Sequence, residues 1–404
     1  MKSTVIPLVS PEMELLLCCV RPTITRSTSE RMAALVQAGL DWDRVVYLAT
    51  EHAVKPLLYW RLKTVLPHSV PALVLLQLHD DFVANSRWNV FLMRKLLLLL
   101  ELFATHDIRV LPFKGPILAA TVYKNLALRR SGDLDIVVHA HDAARAQALL
   151  LEQGYELQQG LSQPLPPFAL KDAYHHGFVG DSVYIELHWA FIDRLHALSL
   201  TLDAMTARCS AVCVASKPVL VFAPEDLLLL LCVHGMKHYW ERLSWVTDIA
   251  WLLATTPDLD WARVFAYSDQ FHVTRIVLIG LSLTYHLLGT NLPDVVIRRM
   301  EQDRYLPPLT AQIQERLVAA VRRPSGLKKY SLYMLARERT QDQLIYLYHS
   351  LRALLAFSVT PNDHDFTFLP LPKSLALLYY LVRPIRVVYE YRRLVDQARR
   401  WCNR

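Results

Sequence analysis

The sequence predicts an α+β fold, a small mixed sheet set between an N-terminal and a C-terminal helical region. Three observations predict it. Glycine is scarce, 11 in 404 residues, while 53% of residues are hydrophobic and leucine runs recur, a balance that favours helix over sandwich or barrel. Apolar residues recur at helical spacing before about residue 106 and again after Pro224. Between these regions lie short, partly β-branched apolar runs broken by Gly, Pro and Asp, the pattern of strands and turns. The expected regions are 1–106, helical, 107–222, mixed α/β, and 223–404, helical.

Charged residues make up only 20% of the chain, which predicts a compact rather than a disordered protein. The formal net charge of +7 suits anionic ligands such as nucleotides. The basic residues are spread along most of the chain, so the charge alone does not mark a nucleic-acid binder. None of the six cysteines shows the CxxC spacing of a zinc site, and reduced, buried thiols are expected. Cys209 and Cys213, four apart, would face each other on a helix. The first residues are interrupted by Pro11, Glu12 and Glu14 and do not read as a signal peptide. No charge-free run approaches the roughly 18 apolar residues of a membrane span. A cytoplasmic location is the expectation.

The elements follow in order. Ser29 and Glu30 lead into an apolar-periodic stretch through Leu40, and Trp42 to Lys63 continues in the same style, with Pro56 at a turn or helix start. A long helix free of Gly and Pro in its interior runs from about Pro71 to His106. Ile108 to Phe113 is a strand, and Lys114, Gly115 and Pro116 break it and open a short helix through Tyr123. Asp133 to His139 is a second strand, His141 to Gln153 a helix ended by Gly154, and Tyr155 to Gln158 a short strand. The proline-rich stretch from Gly160 to Pro167 is a loop, and a hairpin spans His176 to Trp189 about Gly180 and Asp181. Pro218 to Phe222 supplies the last strand of the same sheet. A single long helical run then extends from Pro224 through Leu253, and further helices reach about Phe357. The proline-rich segment from Thr360 to Lys373 is expected to be irregular, and Ser374 to Arg400 helical with a kink at Pro384.

Chemistry concentrates in the strand DLDIVVH. Asp133 and Asp135 are two apart, so alternation aims both carboxylates to one face while Leu134, Ile136 and Val138 take the other. Two acids aimed together repel unless a cation lies between them. Mg²⁺ prefers carboxylate oxygens and shares them with substrate phosphates. Glu186 sits between Ile185 and Leu187 on a later strand and could join the cluster, and His188 shares its face as a ligand or a positioning group. Three acids on adjacent strands suit two-metal nucleotidyl or phosphoryl transfer. Upstream, Gly115 would let a phosphate approach the backbone, and Lys114, Arg129 and Arg130 could reach a triphosphate.

With these residues in order, the sequence resembles the polymerase-beta-like nucleotidyltransferase superfamily, which uses a Gly motif, a strand Asp-x-Asp and a third acid on a later strand. More closely it resembles the bacterial family called uncharacterised nucleotidyltransferases. The stretches that carry the likeness are LPFKGPILAATVYKNLALRRSGDLDIVV, YIELHWAF, HGMKHYWERLSWVTDIAWL and FLPLPKSLALLYYLVRPIRVV, between about residues 111 and 388. The resemblance implies a nucleotidyltransferase domain over 107–222 and a metal-dependent transferase, with Asp133, Asp135 and Glu186 as catalytic metal ligands for Mg²⁺. It implies ATP or another nucleoside triphosphate as donor, and leaves the acceptor open. Where the superfamily usually has Gly-Ser or Gly-Gly, Gly115 is followed here by Pro116, which removes a hydroxyl and an amide donor. A non-catalytic nucleotide-binding scaffold and a phosphotransferase using the same metal site are the rival readings.

A second polar cluster lies in HGMKHYWERLSWVTDIAWL. His234, His238, Glu241, Trp245 and Asp248 follow one another at helical spacing, which predicts one face of one helix, with Lys237 and Arg242 beside it. This face is expected to line the nucleotide cleft, with Lys237, His238 and Asp248 touching ligand or the acids. A zinc site at His234 and His238 would lack the usual adjacent Glu, because position 235 is Gly. Tyr123 and Trp189 are expected to pack rather than to stack on a base. The stretch from Lys373 to Arg404 holds eight Lys or Arg against Glu390 and Asp396, a helix with a solvated basic face or one that touches anionic membrane or RNA.

Overall fold

The computed structural model describes residues 9–158, 175–190, 205–319, 327–359, 361, 363–372, 375 and 378–402. The expected loop from Gly160 to Pro167 lies outside them. The chain forms two compact units. The first takes in Met1–Leu157, Tyr174–Phe191 and Leu198–Arg339, and the second Gln158–Ala173, Ile192–Ala197 and Thr340–Arg404.

The first unit opens with α1 (Pro11–Cys19), α2 (Arg26–Gln37), α3 (Trp42–Glu51) and α4 (Lys55–Val65). Ser10, Thr25 and Asp41 cap the first three, their side chains accepting from the backbone N–H three residues on. The stretch Trp42–Lys63 is two helices, because Ala53 takes a left-handed conformation, φ 56°, before Pro56 restarts the helix. The long helix α5 (Ala72–Thr105) follows. Its buried leucines and Phe103 lie on one side of the sheet, in a core with Leu134, Ile136, Val138, Ile185 and Leu187.

The sheet has five strands in the order β1-β2-β5-β4-β3: β1 (Val110–Pro112), β2 (Leu134–Val138), β3 (Glu156–Leu157), β4 (His175–Gly180) and β5 (Val183–His188). Strand β2 runs antiparallel to β1 and parallel to β5, so the sheet is mixed as the sequence predicts. Between the strands lie α6 (Gly115–Thr121) and α7 (Ala143–Glu152).

Pro218 to Phe222 departs from expectation. It forms β7 (Lys217–Val221), which pairs with β6 (Ser210–Val214) in a separate two-stranded sheet. The turn between them uses Ala215 and Ser216 at φ 47° and 64°, a conformation that no Gly or Asn announces. Cys213 therefore sits on a strand, and the helical pairing expected with Cys209 does not occur.

The run from Pro224 is also not one helix. It divides into α8 (Pro224–Lys237) and α9 (Leu243–Thr255). Tyr239 and Trp240 both turn left-handed, φ 56° and 52°, and end the first helix. Trp240 folds back on Gly235, where an added Cβ would come within 2.5 Å of the indole. That indole is fully buried, and its burial offsets part of the cost of two left-handed residues. The unit ends with α10 (Trp261–Gln270), α11 (Thr274–Leu288), α12 (Asp294–Gln302), α13 (Leu306–Val318) and α14 (Leu327–Ala336).

The second unit contains α15 (Thr340–Val359), α16 (Asp363–Phe368) and α17 (Tyr379–Cys402), the last running through Pro384. Helix α16 occupies part of the segment expected to be irregular. Its Asp365 is fully buried between Arg383, at 3.2 Å, and Arg386, at 2.6 Å, which supplies a tertiary reason for order that proline content does not reveal. Among the described residues no helix is long and apolar enough to cross a membrane.

Candidate active site

Strand register builds the site. Asp135 is the direct partner of Glu186 across the parallel β2–β5 pair, and Val137 the partner of His188. Within β5, Tyr184, Glu186 and His188 share one face, while Val183, Ile185 and Leu187 are buried on the other. Asp133 lies two residues before Asp135, at the mouth of β2.

His188 bridges the two neighbouring acids. Its Nε2 is 3.3 Å from Asp135 Oδ1 and 3.2 Å from Glu186 Oε2. Asp135, Glu186 and His188 each offer a ligand atom, and the three atoms lie within 4.8 Å of one another. Asp133 falls outside that triad but beside it. On the other side of Asp135, the Lys114 ammonium sits 2.7 Å from Oδ1 and 4.9 Å from the centre of the Phe113 ring. His175, the register partner of His188, stacks on it at 5.0 Å between centroids.

The charges are uneven. Burial pushes the Asp133 carboxyl up to about 6, and the neighbouring Asp135 carboxylate adds to the rise. Burial acts the same way on Asp135, but Lys114 and His188 outweigh it and hold that carboxyl below the ordinary range. At Glu186 burial is likewise overridden, here chiefly by the hydrogen bond from His188. Burial, then His188, lowers His175 to about 4. One acid is thus held ready to ionise while its two neighbours stay charged, the divided pattern that functional sites show.

The segment ahead of β2 is held from α5 by side-chain amides. Asn89, fully buried, donates to the carbonyls of Leu126 and Arg129, Asn85 to those of Ala127 and Arg129, and Trp88 Nε1 to that of Ser131. Asn85, Trp88 and Asn89, a polar i, i+3, i+4 set on α5, are the sequence signal for this anchoring. Gly115, φ +57°, packs against the Asp133 carbonyl, where a Cβ would approach to 2.8 Å. The glycine is needed here twice, for its backbone angle and for its missing side chain.

Arg129 does not point at open solvent. Its Nε and Nη2 donate to the two oxygens of Asp248, at 2.8 and 3.0 Å, and Tyr123 donates to the same carboxylate at 2.7 Å. Asp248 is buried on α9 and lies behind the cleft wall. Tyr123 also stacks on Trp251 at 4.7 Å, so it packs as expected.

These groups open on a cleft of about 800 Å³ lined by Lys114, Gly115, Arg129, Arg130, Asp133, Asp135, Glu186 and His188. Its opposite wall is the end of α8 and the start of α9, with His234, Lys237, His238, Glu241, Arg242 and Trp245. His234 and His238 lie edge to face at 4.7 Å, and Trp245 tilts against His238 at 5.2 Å. The cluster expected on one helix face therefore comes from two helices and the turn between them. Thr50 and Glu51 at the end of α3 close a further side.

The model of a family described as uncharacterised nucleotidyltransferase matches residues 38–289. The chain belongs to that family. The matched span holds α3 through α11 and every cleft residue named above, and membership marks the protein as a transferase. No curated protein matches it. Among solved structures it is similar to the antibiotic-resistance factor ANT(2'')-Ia, with 13% identity over 50% of this chain and 98% of that one, at a TM-score of 0.33. A likeness that slight says nothing about the chemistry of this nucleotidyltransferase.

Proposed function

We propose that the protein transfers a nucleoside monophosphate from a nucleoside triphosphate, ATP first among them, to an acceptor hydroxyl, amine or phosphate. What carries the reading is the pairing of Asp135 with Glu186 across parallel strands, with Asp133 at the strand mouth, in a cleft that also presents Lys114, Arg130, Lys237 and Arg242.

The donor set fits a hard divalent cation such as Mg²⁺, which takes carboxylate oxygens and keeps substrate phosphates in its shell. Burial first, and then the charge of Asp135, raises the Asp133 carboxyl, and a cation at the site would relieve the second of these. Asp133, Asp135 and Glu186 would hold one or two ions, with His188 fixing the orientation of the latter two acids. When bound, the ions neutralise charge around the transferred phosphate and lower the pKa of an attacking hydroxyl. The chain's own groups do the rest. Lys114, with three donors, can serve Asp135 and a phosphate oxygen together. Arg130, exposed at the cleft, adds a planar donor set for the triphosphate. Lys237 and His238 face the same space from α8. Glu186, the third acid, would complete the site and help to take the acceptor's proton.

Thermal unfolding with Mg-ATP, with ATP and chelator, and with each other triphosphate tests the reading. Stabilisation is expected only where metal and nucleotide are both present. Mass spectrometry of host extract incubated with labelled triphosphate then separates a nucleotidyl adduct from a phosphoryl one. Absence of stabilisation by every Mg-triphosphate would sink the enzymatic reading, and stabilisation with no adduct of either kind would favour the nucleotide-binding scaffold that Pro116 suggests.

A further inference from the structure

The two longest helices of the second unit are built inside out. Helix α17 buries Arg383 and Arg386 against Asp365, with Tyr379 one turn earlier on the same face. Its opposite side presents Leu381, Ile385 and Val388, which are 65%, 67% and 54% exposed. Helix α15 repeats the inversion. It buries Asp342 and Tyr346 and exposes Leu344, Leu347 and Leu351. Spacings of three and four place each apolar trio on one stripe of its helix. In water this arrangement is unfavourable twice over, since charges are desolvated while leucines stay wet. Single exposed leucines need no explanation, but an apolar stripe opposite a buried charged face, as on α17, marks an interaction surface.

We propose that this unit seats on an anionic lipid surface, with the apolar stripe of α17 in the headgroup–acyl boundary. Charge selects this occupant. Apart from the buried Arg383 and Arg386, the sequence from Lys373 to Arg404 carries six Lys or Arg against Glu390 and Asp396, among them Arg392, Arg393, Arg399 and Arg400 later in the same helix. Acidic headgroups complement that run. A second copy of the chain, paired through the same stripe, would set two such basic segments against each other. RNA would satisfy the arginines and leave the leucines in water. Among the described residues no helix can span a bilayer, so in this proposal α17 lies in the interface rather than across it. The surface is independent of the chemistry proposed for the cleft.

The full chain should be sedimented with vesicles of phosphatidylcholine alone and with vesicles containing about one-third phosphatidylserine, at low and raised salt. Pelleting with the anionic vesicles, weakened by salt, is expected. The double variant Leu381→Glu/Ile385→Glu should reduce the bound fraction roughly tenfold or more. Arg392→Glu/Arg393→Glu should reduce it through charge alone. Leu73→Glu/Leu76→Glu, which alters exposed leucines on α5 instead, should bind like wild type. Leu73, Leu76, Leu381, Ile385 and Arg392 are exposed, and the melting temperatures of all three variants should match wild type. Equal binding to both vesicle types, or none to either, overturns the proposal. So does self-association abolished by Leu381→Glu/Ile385→Glu without vesicle binding, or binding to a single-stranded RNA that competes off the vesicles and is unaffected by that variant.

Discussion

Asp135 and Glu186 face each other across a parallel strand pair, 51 positions apart in sequence, with His188 Nε2 within 3.3 Å of both carboxylates. Parallel pairing needs a crossover, and here α7 and the β3–β4 segment supply it. Two acids brought together this way are expensive to hold without compensating charge, and Lys114 supplies part of it.

Asp135→Asn keeps the side-chain shape and removes one charge. The variant should lose Mg-ATP stabilisation, and transfer should fall on the order of 10²-fold or more, as for other preorganised electrostatic groups. The ligand-free melting temperature should fall as well, because buried Lys114 and His188 lose a charged partner, a loss that relief of repulsion on Asp133 offsets only in part. Thermal-shift titration of both proteins checks this. A variant that gains as much from Mg-ATP as wild type and still transfers would remove Asp135 from the site.

Gly115→Ala addresses the turn against Asp133. A side chain at φ +57° costs about 1–2 kcal/mol, and the 2.8 Å approach to the Asp133 carbonyl adds strain. Denaturant unfolding should show that loss, and Mg-ATP binding should weaken because the backbone of Asp133 must move. Wild-type stability in the variant would mean that the turn is not held as described.

Asp248→Asn tests whether Arg129 is anchored or available. The exchange leaves a buried guanidinium facing a neutral amide, and a broken buried pair costs about 3–5 kcal/mol. Tyr123→Phe removes one donor from the same carboxylate and should cost only about 1 kcal/mol, since Arg129 still satisfies it. Urea midpoints of the two variants measure the contrast. Near-equal effects would show that Tyr123, not Arg129, is the main partner of Asp248.

The sheet and its acids were legible because both obey short-range rules. Alternation alone put Asp133 and Asp135 on one face, and β-branched runs bounded by Gly and Asp marked β1, β2, β4 and β5. What escaped depends on tertiary packing. The end of α8 is set by Trp240 folding onto Gly235, a contact that periodicity cannot register, since the apolar pattern continues unbroken into α9. The partner of β7 escaped because SAVCV lacks a glycine turn before KPVLV. His188 was visible on the Glu186 face, but its bridging of two acids required the register with Asp135. Local sequence turns Asp248 and Arg129 each toward a ligand, and nothing in it shows that, 119 positions apart, they meet each other.

His52 supplies a pH test of how the N-terminal helices join the cleft wall. Its ring is almost fully buried, Nδ1 accepts from the Leu243 N–H at 3.2 Å, and its carbonyl accepts from the Ser244 N–H at 3.2 Å. These bonds satisfy orphan donors at the start of α9. Accepting at Nδ1 requires the neutral ring, and burial lowers its pKa to about 4. The folded-state value thus lies below the ordinary 6.5 expected of the unfolded chain. The unfolded state therefore binds the proton first as pH falls. The contribution of His52 is fully present above about pH 6.5 and is lost progressively down to about pH 4, to a total of at most about 3 kcal/mol. His52→Asn retains an acceptor near the Leu243 amide and cannot titrate. Its stability at pH 7 should be lower than wild type through lost packing, but its decline between pH 6.5 and pH 4 should be shallower. Urea unfolding at half-unit pH intervals gives both slopes. Parallel slopes would mean that His52 does not carry the acid sensitivity of this junction.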